Sequence, residues 1–394
     1  MPPTLGTARK PNRSVRYPSR SGRSHGSSVK HPTKGSEVKR IKAVAICTAL
    51  GVAVAGLAFA APSYADPVSS SYVLVGSDTL QDSGNALANG SSVSGAAVRV
   101  TAGGSFVGSF DAFGSAAIQS KSGGPYFARP AGSGDGVKAL SRSIDGGLFS
   151  VSGNATPAVA IPGQVDIART SSGPSANTSG PLAYVPYGRD ALSYAYVGTG
   201  LGEITAAQLK SVYECSLTSI GGVPVTPVLP QSASGTRKFF LSAIGSPTLG
   251  SCVVQNNAAE NDGTVITAGQ IIPFSVASWI AQSNGAAQDR TGSALLGSSV
   301  AGVTPTTGTG TALAPNAAYY SNATFGRDTY LVVEFARISS TNAKYDPVLA
   351  ALVDSTKAKS LTNFGATAAT SGAVKKKFGF LAPSATTIIR ANLG

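Results

Sequence analysis

Histidine is the telling shortage in this 394-residue chain. There are two, His25 and His31, both near the N-terminus. If the first 65 residues are removed on export, as argued below, no imidazole remains. That excludes Ser-His-Asp and Cys-His catalysis, a histidine general base and a histidine-ligated zinc. Carboxylate-pair and lysine chemistry stay open, but the balance favours a protein that binds over an enzyme, with no cofactor. Cysteine is scarce as well, at three residues. Cys47 sits inside an apolar run, early in it and behind Ile46 where lipid attachment wants a small residue. Cys215 and Cys252 remain. An even pair in an exported chain reads as a disulfide, the alternative being two buried thiols. Charged residues are only 12% of the chain, and beyond Ala61 no apolar run is long enough to span a bilayer.

What charge there is sits unevenly. Residues 1–65 hold eleven of the 31 Lys and Arg against one acid, Glu37, and so account for ten of the thirteen net positive charges. A basic total would otherwise suggest nucleic acid. Here it precedes an apolar stretch from Ala43 to Ala61 and then Pro62-Ser63-Tyr64-Ala65-Asp66. Basic region, apolar core and small residues at Ser63 and Ala65 form the order a signal peptidase reads. Cleavage is expected after Ala65, giving a secreted or cell-surface protein. The rival reading is an uncleaved anchor with a basic arm. In either case the membrane is met only through this N-terminal segment, and nucleic acid is set aside. The mature part, about 330 residues, exceeds the size at which one core stops growing, so two lobes are expected.

Residues 66–72 read as a linker. Tyr72-Val73-Leu74-Val75 is a β-rich run, followed by Gly76-Ser77-Asp78-Thr79 and a helical pattern through Leu80 and Leu87, with Ser77 or Asp78 as N-cap. Val98-Arg99-Val100 reads as a second strand, and 101–125 as a long loop. Gln164–Arg169, Leu182–Val185, Ala191–Val197, Val225–Leu229 and Tyr330–Phe335 read as strands. Thr205 caps a helix running to Tyr213, and Pro347–Val353 and Ser355–Leu361 are further helices. Residues 300–325 read as irregular. Strands alternating with helices imply an α/β fold.

Three segments share one design, with small hydroxyl residues and glycine between a strand end and a helix start: Ser77-Asp78-Thr79, Ser133-Gly134-Asp135-Gly136 and Ser234-Gly235-Thr236. Helix N-termini expose unpaired N–H groups and the positive end of the dipole. Small residues there admit an anion closely. Each segment alone is ordinary capping; the three together suggest an oxyanion socket. Other candidates read as structure. Glu260 and Asp262 suggest a solvated loop more than a metal or acid/base pair, Trp279, Tyr126 and Tyr187 core or surface, and Lys375-Lys376-Lys377 a solvated charge run.

In this order the segments resemble the periplasmic-binding-protein-like family, in particular the phosphate-binding subunits of phosphate ABC transporters and an exported actinobacterial branch of them. The resemblance rests on Gly76–Asp82, Gly132–Leu140, Val165–Ser171, Thr205–Tyr213 and Leu229–Thr236, with Glu260–Thr264 and Pro273–Ala277 typical of the branch, and runs from about Tyr72 to Pro383. It implies a class II, two-lobed α/β fold. Lobe one would be 72–188 plus 325–394 and lobe two 189–324, joined by a hinge and with the ligand cleft between them. It implies a monomer that delivers inorganic phosphate or a similar oxyanion to an ABC permease. Carried over residue by residue, the ligand set is Ser77, Asp78, Thr79, Ser133, Gly134, Arg169, Thr170, Ser171, Ser234, Gly235, Thr236 and Arg237. Two positions depart from the pattern. Ser171 stands where the family has an aspartate that accepts the ligand's proton, and Pro230-Gln231 where it has an arginine; Arg169 or Arg237 would have to supply that charge. The departures keep a second reading open, a secreted or cell-surface protein that retains the fold for adhesion or a structural role without transport.

Overall fold

The computed structural model describes residues 72–255 and 258–394. The basic arm, the apolar run, Cys47 and the expected cleavage site lie outside them. The fold is mixed α/β on a central ten-stranded sheet. In chain order its strands are β1 (Tyr72–Gly76), β2 (Val107–Ser109), β3 (Ile167–Thr170), β4 (Leu182–Tyr196), β5 (Thr226–Leu229), β6 (Val254–Gln255), β7 (Gln270–Ser275), β8 (Leu295–Leu296), β9 (Gly326–Glu334) and β10 (Ile389–Ala391). The helices that matter below are α1 (Gln81–Asn89), α2 (Ser133–Asp145), α3 (Ala206–Tyr213), α4 (Gly235–Ala243), α5 (Val276–Ser283), α6 (Pro347–Leu352) and α7 (Ser371–Lys377).

The strand order is β6-β5-β7-β4-β9-β3-β1-β2, with β8 and β10 also paired to β4. It contains one plan twice. In the first half β1 is flanked in parallel by β2 and β3, and β9 joins antiparallel to β3. In the second half β5 is flanked in parallel by β6 and β7, and β4 joins antiparallel to β7. The long strands β4 and β9 pair with one another from Leu182/Glu334 to Ala191/Gly326 and tie the halves together. Side chains alternate across the sheet as its pleat requires. Val73, Val75, Tyr330 and Val332 enter one apolar cluster, and Leu74, Leu331 and Val333 enter the cluster on the opposite face. The second half has its own cluster around Leu192, Tyr194, Leu209, Phe240 and Ile271, under α3, α4 and α5.

Several local expectations hold. Thr205 caps α3 in a full capping box: the Gln208 N–H donates to Thr205 Oγ1 at 3.3 Å, and Gln208 Oε1 accepts the Thr205 N–H at 3.0 Å. Cys215 and Cys252 are bridged across a separation of 37 residues. Others need correction. The second strand of the first half is Val107–Ser109, inside the expected loop. Val98 and Val100 are buried, yet make only an isolated bridge with Ser91 and a bond from the Val100 N–H to Leu87 O; their apolarity serves the packing of α1. The two expected strands at 182–185 and 191–197 are one strand, β4. Pro186 does not end it, because a register shift opposite Thr329/Tyr330 absorbs the break and pairing with β9 resumes at Gly188. Residues 355–361 form turns, not a helix: Asp354 draws the Thr356 N–H and hydroxyl to itself, which starts a turn.

Lys375 corrects another expectation. It is fully buried in α7, not solvated. Its Nζ donates to Tyr187 O at 2.6 Å and to Leu361 O at 3.1 Å, with the Tyr187 and Phe364 rings 4.3 and 4.8 Å away. The carbonyl it binds belongs to the bulged residue of β4, whose ladder partner is missing. Burial lowers the amine's pKa well below its ordinary value.

Candidate functional site

Strand order reverses in each half at its middle strand. The chain goes from β1 to β2 on one side, then passes β1 to reach β3 on the other; β5, β6 and β7 repeat the move. Such a reversal leaves a crevice beyond the carboxyl ends of the strands. Those ends carry Ser77 after β1, Ser171 after β3, the Pro230–Thr236 loop after β5 and Ser275 as the last residue of β7. The loops from the two halves meet. Gly134 N–H donates to Ala233 O at 3.2 Å, and Gln231 Nε2 donates to Ala131 O at 2.6 Å.

Glycine allows the close approaches. Gly76 has φ +112°, and a Cβ on Gly136 would lie 2.6 Å from the Gly76 Cα, so only two glycines let α2 sit on the end of β1. A Cβ on Gly235 would run into the hydroxyls of Ser133 and Ser171. Helix α2 begins at Ser133, one turn earlier than the glycines suggest, and its Ser133 Oγ lies 3.2 Å from Ser171 Oγ and accepts the Ser171 N–H at 3.1 Å.

Thr79 is the hub of the junction. Its Oγ1 lies 3.1 Å from Thr236 Oγ1, donates to Glu260 Oε2 at 3.1 Å, and is approached by Asn261 Nδ2 at 3.4 Å and Arg327 Nη2 at 3.5 Å. Arg327, at the start of β9, is 3% exposed. Its Nε and Nη2 donate to Asp190 Oδ2 in β4 at 3.0 and 2.8 Å, and Nη2 also reaches Thr236 Oγ1 at 3.0 Å. Asp190 Oδ1 in turn accepts the N–H groups of Ala191 and of Ala277 in the first turn of α5, where the helix dipole favours an anion. Asn261 is held at φ 57°, with its Oδ1 accepting the Ser275 N–H at 2.8 Å. That left-handed backbone, tolerated best by asparagine among the larger residues, turns Glu260 inward.

Eight buried side-chain atoms without a partner stand out among the described residues, and four of them belong to this junction: Ser77 Oγ, Asp78 Oδ2, Glu260 Oε1 and Arg327 Nη1. Ser77 occupies the N-cap position of the turn that precedes α1, but its hydroxyl caps nothing. Asp78 is itself partly exposed, while its Oδ2 is enclosed. Burial, then the charges of Glu260 and Asp82, push its pKa well above the ordinary value, against the pull of Arg290 and Arg169.

The ligand set expected from the sequence is therefore only partly convergent. Thr79 and Thr236 come together around Arg327, while Ser77 and Asp78 flank Thr79 in the chain and make no bond to Arg327 or Thr236. Ser133, Ser171 and Gly235 form a second corner, and Gly134 contributes its N–H to the contact with Ala233. Ser234 Oγ caps α4 by accepting the Arg237 N–H at 2.8 Å. Thr170 turns aside to Ser172 O at 3.0 Å. Arg169 is fully buried within the first half. Its Nε donates to Ser77 O, its Nη1 to Ser109 Oγ and its Nη2 to Gly76 O and Phe110 O, and burial lowers its pKa to about 10. Arg237 points outward to Pro230 O and Gln255 Oε1. The positive charge at the junction is thus that of Arg327, which sequence reasoning did not single out; its signal was a charged residue beside the apolar run of β9. Glu260, expected in a solvated loop, is 1% exposed. Asp262 is the loop's capping residue, accepting the Thr264 N–H at 2.9 Å. Beside the Ser133 corner a groove of about 390 Å³ opens to solvent between Pro174, Lys238 and Asn392.

No protein-family model and no curated protein matches the chain. Among solved structures it is similar to an ABC-type phosphate transport receptor from Vibrio cholerae, at 14% identity and TM-score 0.40 over 68% of this chain and 89% of that one. It is similar to a putative phosphate ABC transporter substrate-binding protein with bound phosphate from Clostridium perfringens, at 14% and 0.41 over 69% and 89%. A human phosphate binding apolipoprotein gives 16% and 0.43 over 80% and 91%. Likeness at this distance leaves the functional argument to the site itself. Among the described residues no helix is long and apolar enough to cross a membrane, and no group of three or more His, Cys, Asp or Glu side chains is arranged to hold a metal ion.

Proposed function

We propose that the chain binds a small oxyanion, phosphate foremost, at the junction of the two halves, as a solute-binding protein and not an enzyme. One observation carries this reading: three segments that meet through Thr79 each hold enclosed side-chain atoms without a partner, donors on Ser77 (Oγ) and Arg327 (Nη1) and acceptors on Asp78 (Oδ2) and Glu260 (Oε1). Buried polar atoms are rarely left unsatisfied, and a cluster of them asks for a ligand. A protonated oxyanion suits both kinds: its oxygens accept from the serine and the guanidinium, and its hydroxyl donates to a carboxyl. A fully ionised anion would meet the carboxyls unfavourably. Arg327 offers a charge-assisted donor whose plane is fixed by Asp190, so the pair itself adds no net charge.

In this reading the halves are lobes, 72–188 with 325–394 and 189–324, and β4 and β9 are the hinge that lets them close on the ligand. Export through the N-terminal segment, a monomeric state and delivery to an ABC permease belong to the same proposal. The second reading, a secreted or cell-surface protein that keeps the fold without transport, draws support from the Ser133 corner, where the hydroxyls of Ser133 and Ser171 bond each other and Gly235 is packed against both. Isothermal titration of the protein with phosphate, sulfate and molybdate from pH 5 to 8 separates the two. Heat with phosphate that Arg327→Met abolishes supports binding. Absence of heat with all three anions at every pH ends it.

A further inference from the structure

We propose that Asp78, set against Glu260 of the opposite half, is a proton-operated latch across the junction: closing the two halves puts one proton on the Asp78 carboxyl. The inference rests on the halves being able to part, and not on what they bind.

The two acids come from opposite halves. Asp78 follows β1, and Glu260 lies in the loop that enters β7. Thr79 brings them together by its bond to Glu260 Oε2 at 3.1 Å, and each acid keeps one enclosed oxygen without a partner. Enclosure of the Asp78 oxygen and the charge of Glu260 both disfavour the ionised form of Asp78. The surrounding charges do not cancel them. Asp82 from α1 adds a third negative charge facing Asp78; Arg290, beyond α5, and Arg169 of β3 oppose it. Arg169 donates to backbone oxygens and Ser109, and Arg327 of β9, which approaches through Thr79, is committed to Asp190. One proton on Asp78 removes the repulsion and supplies a donor for an orphan oxygen. When the halves part, Asp78 meets water and returns to its ordinary value, near 3.8.

The sign follows. The closed form holds its proton to a higher pH than the open form, so closure is favoured at low pH and weakens as pH rises from about 4 to the raised closed-state value. One proton per closure means about a tenfold loss in the closed-to-open ratio for each pH unit in that window.

The Gly134 amide reads this ratio. It lies in the first turn of α2, where N–H groups have no partner within the helix, and its acceptor is Ala233 O on the opposite half. Hydrogen exchange of the ligand-free full-length chain, followed in peptides covering residues 131–137 from pH 4.5 to 8 and corrected for intrinsic rates, gives its protection factor. The expected result is a fall of about tenfold per pH unit in the wild type. Asp78→Asn should be flat. Glu260→Gln should keep the slope but move it to lower pH, and Asp145→Asn, an exposed acid at the far end of α2 paired with Arg142, should match the wild type. Should Asp78→Asn fail to fold by circular dichroism, the displacement in Glu260→Gln decides. A wild-type protection factor that does not change with pH overturns the latch, as does an unchanged slope in Asp78→Asn or an undisplaced curve in Glu260→Gln. Since no ligand is present, the latch can fail while phosphate binding stands, and the reverse.

Discussion

The buried ion pair of Arg327 and Asp190 is the point at which stability and binding can be separated by substitution. Arg327 and Asp190 side chains are 1% and 0% exposed, with N–O contacts of 2.8 and 3.0 Å. Asp190→Asn leaves the guanidinium enclosed with no counter-charge. Breaking a pair of this kind costs about 3–5 kcal/mol. In a chain of this size about 2 °C of melting temperature is lost per kcal/mol, so a drop of about 6–10 °C is expected. Replacing both partners, as Asp190→Leu with Arg327→Met, removes the unpaired charge along with the pair. Stability should then recover to within about 1–2 kcal/mol of the wild type, while phosphate binding should not, because the guanidinium that reaches Thr79 and Thr236 has gone. Calorimetric melting of the three proteins, with phosphate titration of the double variant, tests this. A melting temperature for Asp190→Asn within 2 °C of the wild type would refute the claim that the pair is desolvated. Undiminished phosphate binding in the double variant would remove Arg327 from the site.

Other substitutions probe separate parts of the fold. Gly235→Ala should weaken phosphate affinity by about 5- to 150-fold in calorimetry, the equivalent of the 1–3 kcal/mol that overpacking costs, because the new methyl meets the Ser133 and Ser171 hydroxyls. Reducing the Cys215–Cys252 bridge should lower stability by about 3–4 kcal/mol in urea denaturation, as expected for loop closure over 37 residues. Burial lowers the folded-state pKa of Lys375 below the ordinary 10.5. The unfolded chain therefore binds the extra proton between those two values, and stability rises with pH across that window. The difference in unfolding free energy between wild type and Lys375→Met, measured from pH 7 to 10, should grow in favour of the wild type; a constant difference would show that the amine stays charged when buried.

Much of the local structure could be read directly, because it depends on neighbours in the chain. The Thr205–Gln208 capping box, the Ser234 cap, Pro347 opening α6 and the run of β1 each follow from spacing within a few residues. Where local rules misled, a partner far along the chain had changed the outcome. Pro186 ought to end a strand, but β9 bridges the bulge. Val98 and Val100 look like a strand, but pack as a loop. Residues 375–377 look like a solvated charge run, but the first of them ties the carbonyl freed by that bulge.

The candidate site divides the same way. Small hydroxyl residues at Ser77, Ser133 and Ser234 announce themselves, since helix starts obey local chemistry. Arg327, Glu260 and Asn261 do not. Arg327 meets Thr79 across 248 positions and Glu260 meets it across 181. Those meetings depend on the register between β4 and β9 and on the turn at Asn261, and no spacing in the chain encodes either. Composition and order of residues thus pointed to the α/β class, to a Cys215–Cys252 bridge and to the hydroxyl-bearing loops at the helix starts. Only the folded sheet decided which charges stand beside those loops, because the two strands that bring Asp190 and Arg327 together are paired through backbone geometry that side-chain pattern does not specify.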